Sequence, residues 1–394
     1  MRLISLKVVS LFSGIGGIEL GLHQSGHTTE IFCEVDPLAK AVLSKNFPGV
    51  KIEDDINEIR ELPSCDLVAA GFPCQDLSQA GGKEGIDGSR SGLVKKLFEL
   101  IEKKEHANRP PWILIENVPY MLRLNRGKAM SYLTSVLSEL GYTWAYRTVD
   151  ARCFGLPQRR HRVILLASLF EDPKDVIFSQ DHSEPDLDGK PSVVDHSNYY
   201  GFYWTKGLRG VGWAREAVPP IKCGSSVGIA SPPAVWSPYE DIVGTINIRD
   251  AERLQGFPED WTNITTETGK DIKEGARWRL VGNAVSVRVS KWIGENLSQP
   301  KGSISDFEGE LVTKTWPSAA WGYGDKKYKV PVSKWVANTE QIAISEFLNH
   351  PLKPLSARAL NGFLGRAARC TNVNYSDEFI NSLERCKDRQ LQKV

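Results

Sequence analysis

The chain has 394 residues, 49 Lys plus Arg against 48 Asp plus Glu for a net charge of +1, with 41% hydrophobic and 25% charged residues. These values fit two or three globular domains and exclude a disulfide-stapled mini-domain and a uniformly basic nucleic-acid binder, while leaving room for a local basic face. No run of about 18 apolar residues occurs, and MRLISLKVVS enters a strand-like segment without a cleavable apolar leader, so a cytoplasmic protein with no membrane span is expected. The seven cysteines, Cys33, Cys65, Cys74, Cys153, Cys223, Cys370 and Cys386, never form a CxxC pair, which predicts reduced thiols and no metal.

Residues 6–168 alternate short β-branched apolar runs with amphipathic stretches, the pattern of a parallel sheet covered by helices on both faces. Strands are predicted at Lys7 to Phe12, Glu30 to Val35, Asp66 to Ala70, Trp112 to Glu116, Tyr142 to Thr148 and Arg162 to Ala167. Helices are predicted at Leu38 to Asn46, Leu93 to Lys103 and Ala129 to Leu140. From about Phe178 the pattern dissolves into Asp, Ser, Pro and Gly, and helical periodicity returns near Arg249, which predicts a smaller loop-rich domain. Residues 299–394 hold 14 basic and 10 acidic side chains, a net of +4, and open on a linker-like Gln299-Pro300-Lys301-Gly302-Ser303, as an appended module does.

Phe12-Ser13-Gly14-Ile15-Gly16-Gly17 follows the first strand and opens a helix, so its glycines permit a tight turn with backbone close to a ligand. Alone, such a loop suits a plain strand-to-helix turn as well as a nucleoside site. Glu34, about 20 residues on, stands where a carboxylate accepts hydrogen bonds from ribose hydroxyls. Asp55, at the end of the next short strand, could receive an adenine amine. Three successive strand ends with suitable groups suggest an adenosine pocket.

Gly71-Phe72-Pro73-Cys74-Gln75 follows the apolar Leu67-Val68-Ala69-Ala70, at the carboxyl edge where open α/β sheets bind ligands. A free cysteine is usually a small buried hydrophobe, but this thiol sits in a Gly and Pro loop beside the candidate pocket. Glu116 emerges from Trp112-Ile113-Leu114-Ile115, apolar surroundings expected to raise its pKa and let it donate to a ring nitrogen; a salt-bridged strand-end acid is the alternative. Gln158-Arg159-Arg160-His161-Arg162 sets Arg160 and Arg162 on one face of a strand, where forked donors suit a phosphate or a base carbonyl and a solvated basic turn is the alternative. Tyr199 to Trp213 carries six aromatics with Lys206 and Arg209. It serves either phosphate and base contacts or the core of a small domain. In Gln255-Gly256-Phe257-Pro258 a structural role is expected, with Leu254 and Phe257 in the core.

The motifs FSGIGG, EVDP, GFPCQ, ENV, QRRHR, RDAERLQGFP and GNAV, in this order over residues 6–298, resemble those of the cytosine-5 DNA methyltransferases. The resemblance implies a class I S-adenosylmethionine-dependent methyltransferase fold, a Rossmann-like α/β sheet with helices on both faces. It implies a catalytic domain at 1–178, a target-recognition domain at 179–280, a return segment at 281–298 and an extension at 299–394 of unknown role. Cys74 is implied as the nucleophile that adds to C6 of a flipped-out cytosine in double-stranded DNA, Glu116 as the group holding the N3 and N4 edge, and Arg162, with Arg160 nearby, as the contact to the ring carbonyl and catalytic loop. S-adenosyl-L-methionine is implied as methyl donor, held by Phe12, Gly14, Gly16, Gly17, Glu34, Val35, Asp55, Ile56, Gly71 and Asn283. Val35 stands where the family often has an aromatic. DNA contacts are expected at Gln75, Ser78 and Arg90 besides Lys206 and Arg209. A monomer is expected, in restriction-modification with a cognate endonuclease or as an orphan methylase. One branch of the family methylates transfer RNA, which is the rival substrate. A catalytically dead regulatory relative is the rival of another class, against which the intact Cys74, Glu116 and Arg162 argue.

Overall fold

The computed structural model describes residues 5–72, 92–208, 210–224, 230–266, 269–303, 308–311 and 315–392. The chain forms two compact units. The first comprises Met1–Asp150, His161–Glu184 and Ala284–Asn338, and the second Ala151–Arg160, Pro185–Asn283 and Thr339–Val394.

The first unit is built on a ten-stranded sheet whose order is β12-β14-β13-β6-β7-β5-β4-β1-β2-β3. Its strands are β1 (Lys7–Leu11), β2 (Thr28–Cys33), β3 (Lys51–Glu53), β4 (Leu67–Ala70), β5 (Trp112–Asn117), β6 (Thr143–Asp150), β7 (His161–Ser168), β12 (Glu308–Glu310), β13 (Ala319–Tyr323) and β14 (Lys326–Lys329). The sequence LVAA of β4 and WILIEN of β5 are buried at every position, because central parallel strands are covered on both faces. Helices α1 (Gly17–Gln24), α2 (Pro37–Asn46), α3 (Gly92–Glu102) and α4 (Lys128–Glu139) connect them. In α3 the apolar stripe Val94, Leu97, Phe98, Leu100 and Ile101 is buried, and these side chains join the core with Ile113 and Ile115 of β5.

The sheet departs from the all-parallel expectation at β7, which pairs antiparallel with both β5 and β6. Only ten residues separate Asp150 from His161, fewer than a parallel crossover needs. After the second unit the chain returns through α7 (Val287–Ser298), which docks on α1: Ser25 Oγ donates to the Lys291 carbonyl at 2.9 Å, and His27 Nε2 lies 3.0 Å from the Gly294 carbonyl. Residues 299–394 do not form one appended module. Strands β12 to β14 extend the main sheet, with β13 antiparallel to β6, and residues 339–394 belong to the second unit.

The second unit holds a five-stranded sheet in the order β15-β11-β10-β8-β9, built from β8 (Tyr200–Phe202), β9 (Ala214–Arg215), β10 (Ala234–Ser237), β11 (Ile242–Thr245) and β15 (Lys353–Pro354). Helices α5 (Ile248–Leu254), α6 (Glu274–Asn283), α8 (Ala357–Ala367) and α9 (Asp377–Leu391) complete it. Tyr200, Phe202, Trp213, Trp236, Phe363 and Phe379 are buried in one aromatic core. The core alternative therefore holds for most of the 199–213 aromatics. Leu254 and Phe257 are buried too, and Gln255 donates to the Val281 carbonyl at 2.9 Å.

Candidate active site

The site assembles at the carboxyl ends of β1, β2, β4 and β5. Gly16 caps α1 in the left-handed region at φ 82°, and a Cβ there would lie 2.5 Å from the Phe47 ring, so only glycine makes this turn. Among the described residues nothing lies within 4 Å of where a Gly14 Cβ would point. Phe12, also at positive φ, sets its ring edge-on to Phe72 with centroids 6.1 Å apart, joining the glycine loop to the loop that leads to Cys74.

Glu34 is fixed by its own neighbourhood. Its Oε2 accepts from the Gly14 N–H at 2.7 Å and its Oε1 from the Asp36 N–H at 2.8 Å. Asp36 in turn caps α2, accepting from Leu38 N at 2.9 Å, with Pro37 in the first turn. Glu-x-Asp-Pro thus encodes a strand-end acid followed at once by a helix start. Asp55 lies two residues beyond β3 rather than at its end, and its Oδ1 accepts from the backbone and side chain of Asn57. Ile56 is buried, whereas Val35 is 73% exposed.

Acids gather on this edge. Lys40 pairs with Asp54 and Lys51 with Glu53, while Glu34 and Asp55 have no cationic partner among the described residues. Burial, first, and then the charges of Asp55, Glu34, Glu53 and Asp54 push the Cys33 thiol up to about 12. Two acids without a cationic partner among the described residues, a glycine loop and the exposed Val35 beside Glu34 fit a cationic nucleoside sulfonium.

On β5, Glu116 is buried, and its Oε1 lies 2.8 Å from Nε of Arg162. Glu116 is in register with Ile164, and Arg162, two residues from Ile164, shares that face. The Oε2 of Glu116 lies 3.8 Å from where a Gly71 Cβ would stand, with Val285 and Ile18 around the same point. Asn117, which sequence reasoning passed over, donates from Nδ2 to the Phe72 carbonyl at 3.1 Å and so holds the residue that precedes Pro73-Cys74. A wholly buried amide ending an apolar strand is the signal that could have found it.

A second network passed over lies under the glycine loop. Glu19 is 1% exposed and accepts from Ser10 Oγ at 2.5 Å, and Ser10 Oγ lies 2.7 Å from Ser13 Oγ. Burial raises the Glu19 carboxyl to about 7 against the lowering effect of the Ser10 bond.

Arg160 immediately precedes β7. It is 1% exposed and donates to the carbonyls of Ile221 at 3.2 Å and Gly282 at 3.3 Å within the second unit. Gln158 beside it accepts from Ile221 N at 3.0 Å. Asn283 is exposed at the end of α6. Lys206 is exposed next to Tyr203. Cys74, Gln75, Ser78, Arg90 and Arg209 lie outside the described residues.

The fold is that of a class I methyltransferase. The description C-5 cytosine-specific DNA methylase matches residues 6–207, and the chain belongs to that family: it is a DNA cytosine-5-methyltransferase. It is similar to the type II methyltransferases M.MspI of Moraxella sp, 28% identical over 78% of this chain and 75% of that one, and M.HaeII of Haemophilus aegyptius, 30% identical over 74% and 92%. The S. pombe Dnmt2 methyltransferase structure superposes with a TM-score of 0.55 at 20% identity over 75% of this chain and 99% of that one, and the Entamoeba histolytica methyltransferase EhMeth with 0.54 at 18% over 75% and 98%, which are likenesses of fold.

Proposed function

We propose that this enzyme methylates C5 of a flipped-out cytosine within a short sequence of double-stranded DNA through a covalent bond between Cys74 and C6. The observation that carries the reading is the Glu116–Arg162 pair at the carboxyl edge of β5, beside Gly71, which leads by Phe72 and Pro73 to Cys74. Cytosine C5 is a poor nucleophile. Adding the Cys74 thiolate to C6 makes C5 electron-rich, and loss of the C5 proton after methylation expels the thiolate and restores the ring. Glu116 holds the N3 and N4 edge, Arg162 orients Glu116 and meets the ring carbonyl, and Asn117 holds the nucleophile loop through the Phe72 carbonyl. Because a stacked cytosine is out of reach, the target leaves the helix at a cost of a few kcal/mol.

S-adenosylmethionine, when bound, supplies the electrophilic sulfonium methyl group. Phe12, Gly14, Gly16 and Gly17 would hold its amino-acid part and Glu34 its ribose. Val35, Asp55 and Ile56 would form its adenine edge, with Gly71 and Asn283 as further contacts. Arg160 serves as a positioning residue that fixes the recognition unit's backbone. Gln75, Ser78, Arg90, Lys206 and Arg209 would contact DNA. The setting is a restriction-modification system or an orphan methylase, acting as a monomer in the bacterial cytoplasm or a phage-infected host.

The test is expression in a bacterial host lacking cytosine methylation, followed by genome-wide sequencing for 5-methylcytosine, with Cys74→Ser alongside. A short motif methylated only by the wild type is expected. Unmethylated DNA from well-folded protein, with methylation of the host's transfer RNA instead, would overturn the DNA substrate.

A further inference from the structure

Two lysines of the second unit face one aromatic ring. Lys222 Nζ sits 3.4 Å from the centroid of Tyr203, and Lys206 Nζ 5.4 Å from the same centroid. The ring itself is buried and fixed, its hydroxyl donating to the Pro220 carbonyl at 2.6 Å. Neither lysine forms an ion pair with a carboxylate among the described residues, although the chain is almost neutral overall. Two like charges brought together without a counter-ion cost free energy in the isolated protein, and an anion placed between them recovers it.

Both backbones are held. Arg366 on α8 donates to the carbonyls of Lys206 at 3.0 Å and Trp204 at 2.8 Å. Gly282 on α6 lies so close to the 222–223 peptide that a Cβ there would stand 2.2 Å from the Lys222 carbonyl carbon. Arg160 and Gln158 grip Ile221, the residue before Lys222. The buried members of the QRRHR motif thus support the segment that carries the second lysine.

We propose that Lys206 and Lys222, with Tyr203 as floor, form a two-cation clamp for a backbone phosphate of the DNA substrate; the proposal rests on the DNA reading above. Geometry makes the clamp proton-linked. Burial, then direct contact with Lys206 and its charge, lower Lys222 to about 7, while the adjacent Cys223 acts in the opposite direction. Among the described residues Arg366 adds a further cation, behind the Lys206 carbonyl. A phosphate favours the charged form of Lys222, so binding takes up a proton as pH rises above about 7, and affinity falls with it.

Fluorescence anisotropy of a short labelled mixed-sequence duplex, titrated with the full chain at several salt concentrations and at pH values on either side of 7, tests this. Lys206→Gln and Lys222→Gln should each weaken binding about three- to tenfold at low salt and make the log–log salt slope shallower by about one. Lys222→Arg should keep the wild-type salt slope and lose the pH dependence, since an arginine stays charged. Wild-type affinity and slope in both glutamine variants would overturn the clamp, as would unchanged pH dependence in Lys222→Arg. A wild-type chain that does not bind the duplex at any salt overturns both the clamp and the DNA reading, so the two failures are distinguishable.

Discussion

Glu116 and Arg162 meet 2.8 Å apart because β7 runs against β5. Antiparallel pairing brings the amino end of β7 to the carboxyl end of β5, so the first residues of β7 reach the edge where the glycine loop and Gly71-Phe72 lie. A parallel β7 would have carried Arg162 to the opposite edge. The reversal of β7 is therefore what builds the acid–guanidinium pair.

Arg162→Lys should keep the charge and lose the planar fork, lowering kcat about 10²–10³-fold in single-turnover methylation. Arg162→Met leaves the buried Glu116 without this partner and should also lower Tm. In a double-mutant cycle, Glu116→Gln with Arg162→Met should cost less than the sum of the single changes. Additive losses would mean that the pair is not coupled.

Asn117→Ala removes the bond to the Phe72 carbonyl and leaves that buried oxygen unsatisfied, at about 1–3 kcal/mol. Phe72, two residues before the proposed nucleophile Cys74, then loses its anchor. kcat should fall more than the affinity for S-adenosylmethionine, since Glu34 and the glycine loop are untouched. Equal loss of cofactor affinity, measured by calorimetry, would contradict a positioning role.

Glu19→Gln isolates the buried acid beneath the glycine loop. The folded carboxyl, at about 7, is raised above its ordinary 4.5, so its contribution to stability is fully present below about 4.5 and is lost as pH rises through 7. At pH 8 the wild type therefore carries a penalty of up to about 3 kcal/mol that the amide lacks. The difference in stability between wild type and Glu19→Gln, followed by denaturant unfolding from pH 4.5 to 8, should shift steadily toward the variant. A constant difference would show that Glu19 does not titrate there.

What the sequence reveals of this site depends on distance along the chain. Glu34, Asp36 and Pro37 are legible together, because strand end, cap and helix start occupy four residues. The glycine loop and the six predicted strands, seen as β1, β2 and β4 to β7, are legible for the same reason. Three features were not. The aromatics Tyr200, Phe202 and Trp213 find their partners, Phe363 and Phe379, some 150 residues later, so an aromatic–basic stretch looks like a nucleic-acid surface until that core is seen. Strands β12 to β14 complete a sheet whose receiving edge, β6, lies far upstream. Arg160, just before β7, finds its partners in the carbonyls of Ile221 and Gly282, 61 and 122 residues later, which no local pattern reveals.

Helix α9 secures the second unit by a charge cluster and an aromatic plug, which can be separated by pH. Asp241, at positive φ, accepts from Ser382 and from Arg385 and Arg389 of α9. Partial burial would raise its carboxyl, but the bonds from Arg385 and Ser382 and the two arginine charges hold it at about 2. Being depressed, it stabilises the fold above its ordinary value of 3.8 and loses that contribution as pH falls toward 2. Asp241→Asn should thus lower Tm at neutral pH and leave it close to wild type near pH 2. Phe379, wholly buried against Trp236 at 4.9 Å and Phe202 at 5.2 Å, carries no charge, so Phe379→Ala should cost about 3–5 kcal/mol at every pH. Thermal melts of the two variants across pH distinguish the contributions, and an Asp241→Asn deficit that persists unchanged at low pH would show that the cluster acts by shape rather than by charge.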